Sequence, residues 1–517
     1  TAEPARDSAE PTVVQKIELR LAEYRRRLVG PLPTDPHAWG VVERASELTY
    51  QLLDFHRRAA KPEWWALFAR MDLDEQELMD DPECLAGLTL DPETPPARVA
   101  RSMLYTYRAP EQETKLADGD QVTRCDTGES IGSLMFDEAT RTVQIKLGPS
   151  KEPLPERLSI GPSGPIDSRK ISAALFRFAD RWLAGERRYD AVEQLLRRDV
   201  PRLRGRVAGE PVVQDVPELV PGCIAAVRAL ASSYLYVQGP PGSGKTYSGS
   251  RMIAALLADG YRVGIMSNSH KAIHHLMAGA ILECVRQRVD VQPVKKATSG
   301  REDTELQVDG AAVSNLYANA DVWGGDGNLI GGTAWLFCDE AADQQLDYLF
   351  VDEAGQVALA NLVAAGTCAR NLVLLGDQMQ LSQPVQGVHP GRSGDSALDY
   401  LLDGAATIAP DRGIFLATSW RMHPEVCRFI SDAVYDGRLA PEAANAICEL
   451  ELDSEAHPFL KRAGIVHVPV EHEGCSQGSD VEAQLVAEIY ANALSQRYTD
   501  RDGVMHPMTA EYILVVG

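Results

Sequence analysis

The strongest chemical signal in the chain is a run of eight residues, Gly239, Pro240, Pro241, Gly242, Ser243, Gly244, Lys245 and Thr246. Gly242 and Gly244 let successive backbone N–H groups curl around an anion without a Cβ in the way. A short apolar run, Tyr234 to Gln238, leads in, and a helical pattern from Lys245 to Ala258 leads out. The start of that helix adds partial positive charge where the loop ends. Strand, glycine-rich loop and helix in this order make the phosphate-binding pattern GxxxxGKS/T. Lys245 is expected to reach the β- and γ-phosphates of ATP, and Thr246 to coordinate Mg²⁺.

Nucleotide hydrolysis also needs a carboxylate for the metal and a group that orients or deprotonates water. DYLFVDEAGQ supplies both after an apolar strand run, with Asp352 for the metal and Glu353 facing the γ-phosphate. A second such run, NLVLLGDQMQLSQP, ends in Asp377 and Gln380. The neutral Gln380 amide can bond a γ-phosphate oxygen and a backbone group together, and so report the nucleotide state.

These groups need a scaffold, and the rhythm of the chain describes it. From Tyr234 onward, short β-rich runs (YLYVQ, YRVGIMS, DYLFVDE, NLVLLGD, GIFLAT, AGIVHVPV, EYILVVG) alternate with helical patterns. Near-continuous apolar strands between helices indicate a parallel sheet covered on both faces, hence α/β architecture. The first hundred residues read as helical, with Ile17, Leu21, Tyr24 and Leu28 at helical spacing and a second helix from about His37 to Ala60. Trp64, Trp65 and Phe68 cluster on a short helix and are expected to pack in a core rather than stack on bases. Residues 89–150 alternate apolar and polar between turn clusters, as in a small β-barrel module. The expected divisions are a helical stalk region at 1–88, the β-module at 89–150, and a linker with stalk helices at 151–205. A P-loop domain follows at 206–410 and a further α/β segment at 411–517.

Composition agrees with a globular chain, with 44% hydrophobic and 24% charged residues among 517. No run of about 18 apolar residues occurs, so no membrane partner is expected. The amino-terminal TAEPARDSAEPT lacks the charged-then-apolar order of a signal peptide. Nine cysteines without a CxxC pair argue against a cysteine zinc site and for free thiols in the cytoplasm. His270 and His274 share a helical face, but Lys271 stands where the HExxH zinc pattern needs Glu. The net charge of −23 excludes binding nucleic acid through overall basicity. The middle third, residues 151–300, nevertheless carries 22 basic against 14 acidic residues, so phosphate chemistry belongs there.

The ordered set GPPGSGKT, SNSHKAIHHL, GGTAWLF, DEAGQ, GDQMQLSQP and SWRMHPEVCRFIS resembles superfamily 1B helicases of the nonsense-mediated-decay and immunoglobulin-switch type. FHRRAAKPEWWALF and QPVQGVHPGRSGDSAL further resemble a bacterial subgroup in which such a helicase follows a RecB-like nuclease domain. The resemblance covers about His37 to Gly517 and implies two RecA-like domains, the second incomplete because the chain stops at YILVVG. It makes Glu353 the catalytic base, Gln356 and Gln380 the couplers of γ-phosphate to movement, and Arg421 an arginine finger. Trp420 stands where the family usually stacks Tyr on adenine, with core packing as the alternative. Ser269, His270, Lys271 and Thr333 would hold the phosphates of single-stranded DNA or RNA, DNA being favoured.

Two residues depart from the family pattern: Cys223 replaces its usual Gln before the P-loop, and His270 its usual Asn. The implied function is an ATP-dependent, 5′→3′, monomeric motor attached to a nuclease. The alternative is a nucleotide-switched binding module that does not unwind.

Overall fold

An apolar stripe on a helix needs a surface to cover it, and the amino-terminal stripe finds one within its own unit. In α1 (Val13–Leu28), Leu21, Tyr24 and Leu28 are buried, and the Tyr24 hydroxyl donates to Asp180 Oδ1 at 2.5 Å. A capping box at Thr12 and Gln15 starts the helix. The helix expected over His37–Ala60 is broken in two. α2 (Val41–Leu53) ends where Asp54 leaves helical geometry, and α3 (Phe55–Met71) begins after it. The Asp54 carboxylate is bound by the Arg57 Nε at 2.6 Å.

The computed structural model describes residues 12–149, 151, 153–214, 219–380, 387–473, 475 and 478–516. The stretch read for a signal peptide, the end of GDQMQLSQP, the QPVQ start of the nuclease-linked motif and Gly517 lie wholly or largely outside these residues. The chain forms two units. One comprises Asp54–Arg169 with Val385–His389, and the other holds the remainder.

In the smaller unit, α3 and α4 (Glu75–Asp80) precede seven antiparallel strands. These are β1 (Leu85–Leu90), β2 (Ala97–Val99), β3 (Ser102–Arg108), β4 (Gln121–Arg124), β5 (Ser130–Asp137), β6 (Thr142–Leu147) and β7 (Arg157–Pro162). Their order is β1-β7-β4-β5-β6-β3-β2, and β1 also pairs with β3, so the sheet closes on itself. Alternation drives this: Val143, Ile145 and Leu147 of β6 point into a core shared with Leu88, Tyr107, Val122 and Leu134. The strands extend beyond the expected 89–150 at both ends. Trp64, Trp65 and Phe68 are 43%, 69% and 54% exposed, against the expectation of a core stripe. Leu67, one turn on from Trp64, takes the buried position instead.

The larger unit continues with α5 (Arg169–Leu183), α6 (Asp190–Arg197) and α7 (Leu219–Ala229). Trp182 Nε1 donates to Ser46 Oγ at 3.0 Å, tying α5 to α2. A parallel sheet follows, made of β8 (Tyr234–Gln238), β9 (Val263–Met266), β10 (Pro293–Lys296), β11 (Ser314–Leu316), β12 (Leu329–Gly332), β13 (Leu346–Val351), β14 (Ala369–Gly376) and β15 (Gly413–Phe415). Its order is β11-β10-β12-β9-β13-β14-β8-β15. Helices α8 (Lys245–Ala258), α9 (His270–Gln287), α10 (Asn319–Gly324), α11 (Ala334–Phe337), α12 (Leu359–Gly366) and α13 (Ala397–Leu402) connect or flank these strands. Leu235, Val237, Ile265, Phe350, Val373 and Leu375 are wholly buried in the core, together with α8 and α9 residues such as Ile253 and Leu276.

The segment after residue 410 departs from expectation. GIFLAT does not open a second sheet: β15 pairs with β8, Gly413 lying opposite Tyr236. A Cβ at Gly413 would meet the Tyr236 carbonyl at 2.5 Å, so only glycine permits this approach. Beyond it stand β16 (Thr418–Ser419), α14 (Pro424–Val434), β17 (Ala440–Pro441), β18 (Leu450–Glu451), α15 (Asp480–Leu494), β19 (Arg497–Thr499) and β20 (Met505–Pro507). AGIVHVPV and the described part of EYILVVG form no strands. A strand needs a neighbour for its N–H and C=O groups, and here Ile465, Leu514 and Val516 stay 49%, 86% and 81% exposed.

Candidate active site

Parallel strands deliver all their carboxyl ends to one edge of a sheet, and every chemical motif of the larger unit lies on that edge. The phosphate loop follows β8, SNSH follows β9, GGT follows β12, DEAGQ follows β13 and GDQMQ follows β14.

The loop has the expected backbone, with Gly242 and Gly244 at φ +73° and +85° and α8 starting at Lys245. Lys245 Nζ donates to the Gly239 carbonyl at 2.8 Å, which holds the ammonium over the loop. A Cβ at Gly239 would strike the Lys245 stem and Ser243 Oγ, so glycine is required there too. Ser243 Oγ is buried with no partner, an orphan acceptor and donor inside the loop. Thr246 is exposed at the first turn of α8.

Asp352 lies at the end of β13, 5% exposed, its backbone N–H bonded to the Met266 carbonyl at 2.8 Å. Burial, with the neighbouring Glu353 charge, pushes its carboxyl up to about 7, and the Glu353 N–H and Lys245 only partly offset this. Such a carboxylate favours a cation beside it. The Asp352 carboxylate, the orphan Ser243 hydroxyl and the exposed Thr246 hydroxyl are each oxygen donors of the kind Mg²⁺ takes. Glu353 occupies the left-handed region at φ 51°, an uncommon conformation for a side chain of this size. Close packing holds it there. A Cβ at Gly355 would meet the Asp377 carbonyl at 2.6 Å, and one at Gly376 the Ala354 N at 2.9 Å. The DEAGQ and GDQMQ backbones are therefore in contact.

The Gln356 carbonyl accepts from Asn268 Nδ2 at 2.7 Å, joining DEAGQ to the loop after β9. Gln380 is partly buried, its N–H directed at the Asp377 carbonyl at 3.4 Å. Trp420 and Arg421 come directly against the phosphate loop. The Trp420 N–H donates to the Gly242 carbonyl at 2.9 Å, and Arg421 Cβ occupies the space a Gly242 side chain would need. The Trp420 ring is half exposed, its edge 3.8 Å from where a Gly244 Cβ would stand. Trp420 therefore does not pack in the core. Ser269 and Lys271 are exposed at the start of α9, and Thr333 precedes α11 on the adjacent strand end. Cys223 is fully buried in α7, and burial pushes its thiol up to about 12.

Four residues that brace the site were not singled out from sequence. Asn268 is one. Gln238 Nε2 donates to Gln378 Oε1 and to the Ala406 carbonyl, both at 2.9 Å, linking β8 to GDQMQ. The Tyr435 hydroxyl donates to Asp377 Oδ2 at 2.6 Å with both groups buried. Asn445 Nδ2 donates to the carbonyls of Ser419 and Met422, fixing the turn that carries Trp420 and Arg421. Gln238 and Asn268 stand beside quoted motifs and could have been read; Tyr435 and Asn445 act at a distance in sequence.

Parts of the chain are similar in sequence to known proteins. A family profile described as an AAA domain matches residues 218–393. The DNA replication ATP-dependent helicase/nuclease JHS1 of Arabidopsis thaliana is 23% identical over 307 residues, covering 55% of this chain and 22% of that protein. Regulator of nonsense transcripts 1 of Caenorhabditis elegans is 28% identical over 317 residues, covering 53% and 27%. The chain thus spans about a quarter of the length of these two relatives. Among solved structures, the arterivirus nonstructural protein 10 helicase aligns over 66% of this chain and 58% of that one at 14% identity, with a TM-score of 0.29. The fold assignment rests on the sheet topology rather than on that superposition. Loop geometry and the family profile give residues 218–393 the features of a P-loop ATP-binding domain, and the relatives similar to it in sequence include helicases. No helix among the described residues is long and apolar enough to cross a membrane.

Proposed function

We propose that this chain is the ATP-hydrolysing core of a motor that moves along single-stranded nucleic acid, DNA in preference to RNA, in the 5′→3′ direction. The observation that carries the reading is the meeting of four elements at one sheet edge: the phosphate loop, Asp352–Glu353, Asp377–Gln380 and the Trp420–Arg421 turn. The relatives named as helicase/nucleases support a place beside a RecB-like nuclease in DNA processing.

In this reading the loop amides and Lys245 hold the β- and γ-phosphates, and the Trp420 ring stacks on adenine. Mg²⁺, held by Thr246 and Asp352, would neutralise phosphate charge when bound. Glu353, fixed in its unusual backbone conformation, takes a proton from the attacking water. Gln356 and Gln380 sense the γ-phosphate, and Arg421, already against Gly242, offsets charge on the transferring group. Ser269, His270, Lys271 and Thr333, at the ends of β9 and β12 one and two strands from β13, hold strand phosphates.

ATP turnover with and without single-stranded DNA, followed by strand displacement, tests this. Lys245→Ala should lose nucleotide binding in calorimetry, and unchanged affinity would remove the loop assignment. Stimulated turnover without displacement would leave the nucleotide-switched binding module as the better description.

A further inference from the structure

Lysine is almost never fully buried without a charged partner, yet Lys295 of β10 has no exposed surface. Its Nζ lies 2.9 Å from His270 Nδ1 and donates to the Lys296 carbonyl at 2.7 Å. The sheet is built to admit it. Gly331 sits opposite Lys295 in the β12 ladder, and a Cβ there would meet Met277 Sδ at 2.7 Å, Ile273 at 3.1 Å and the Lys295 stem at 3.4 Å. His270 also lines an open cleft of about 680 Å³, together with Ser269, Lys271, His274, His275, Asp303 and Glu305 among others. An ammonium has only donors to offer. Facing Nδ1, it makes that nitrogen the acceptor and leaves the imidazole proton on Nε2.

Resting on the nucleic-acid reading above, we infer that Lys295 is a positioning residue: it fixes His270 as a neutral imidazole whose Nε2–H serves as a donor to a strand phosphate beside Ser269 and Lys271. The surrounding charges favour the same state. Burial, then Lys295, then His274 lower the His270 basicity to about 4, Arg301 acting in the same direction and Asp303 against it. His274, whose Nε2 lies 3.2 Å from the Thr304 carbonyl, is lowered by burial and Lys295 as well. Asp303 and Glu305 would repel a phosphate unless it is held on the Ser269–Lys271 side. A neutral donor of fixed direction gives a strand grip that holds from pH 6 to about 7, until Lys295, itself lowered to about 8 by burial and Lys296, begins to lose its proton. A free histidine at the ordinary 6.5 would change its charge inside that window.

The test uses the full chain and labelled oligodeoxythymidylate and oligouridylate, with anisotropy read from pH 5.5 to 8. Lys295→Met keeps the stem volume and removes the ammonium. It should weaken strand binding by about three- to tenfold at pH 7, where the parent's Lys295 still carries its proton, as expected for one lost oriented hydrogen bond. It should also raise the His270 titration midpoint seen by NMR, so that binding acquires a pH dependence below about pH 7 that the parent lacks. His270→Asn keeps an uncharged donor, and adding Lys295→Met to it should cost nothing further. Additive effects of the two substitutions, or an unmoved His270 midpoint, overturn the role of Lys295 even if the parent binds strands well. Failure of the parent to bind either strand overturns the nucleic-acid reading itself, and this role with it.

Discussion

Two adjacent carboxylates at the end of β13 have different surroundings, and the difference assigns their work. Asp352 is buried against β9, while Glu353 turns outward through a left-handed backbone. Glu353→Gln should therefore keep ATP and Mg²⁺ binding and lose turnover by about a hundredfold or more, the usual scale for a general base. Near-parental single-turnover hydrolysis would remove Glu353 from that role. Asp352 makes a second, pH-linked prediction. Its carboxyl rises from an ordinary 3.8 to about 7 in the folded chain, so the folded state holds the proton more tightly. This group favours folding at low pH and loses that contribution as pH climbs through about 7. Asp352→Asn should then stabilise the nucleotide-free chain by about 1–2 kcal/mol at pH 8, less at pH 5, while abolishing Mg²⁺-dependent hydrolysis. Denaturation at the two pH values checks the sign. A substitution that destabilises more at pH 8 than at pH 5 would mean the buried carboxylate is already stabilised by its neighbours.

At the scale of elements, Tyr435 at the end of α14 ties that helix to the sheet through its bond to Asp377 Oδ2, in a place where water does not reach. Tyr435→Phe leaves one buried carboxylate oxygen without that donor, at a cost of about 1–3 kcal/mol. The Trp420–Arg421 turn precedes α14, so turnover should fall more than ATP affinity, and kcat separated from KM reads the difference. Equal loss in both would limit Tyr435 to holding the sheet together. This bond also shows where sequence reading stops. β8, β13 and β14 are runs of apolar residues buried on both faces, and such runs announce themselves. The phosphate loop and DEAGQ are legible because each is a contiguous run that directly follows its own strand. β10 escaped because PVKK looks like surface until Lys295 is matched with His270. Trp64, Trp65 and Phe68 looked like core because aromatic rings usually are, but Leu67 already fills the inward position of that helix. GIFLAT was read as a strand correctly and placed in the wrong sheet, because only the contact of Gly413 with Tyr236 reveals which edge receives it.

For the whole molecule, a net charge of −23 and a proposed polyanionic partner are compatible only if binding is local. Charge far from the contact is screened within about 10 Å at 0.1 M salt, so acidic residues remote from the sheet edge matter little to a strand held there, whereas Asp303 and Glu305 line the cleft itself. What counts is how many cations touch phosphates, since each displaces a condensed counterion. Lys271 is exposed at the start of α9 and Lys296 is partly exposed at the end of β10, while Arg301 is already paired with Asp303 at 2.8 Å. Neutral donors, Ser269 and Thr333 among them, make up the rest of the proposed contact and release no ions. With Z of about 2, the slope of log K against log salt for a single strand is about −1.4, so affinity should fall about sevenfold between 50 and 200 mM salt. Lys271→Ala should flatten that slope by about 0.7, whereas His270→Asn should leave it unchanged because a neutral donor is replaced by another. Anisotropy titrations over that salt range measure all three slopes. A parent slope steeper than about −5 would require a broad basic surface that the charge distribution does not offer, and would move the strand away from this edge.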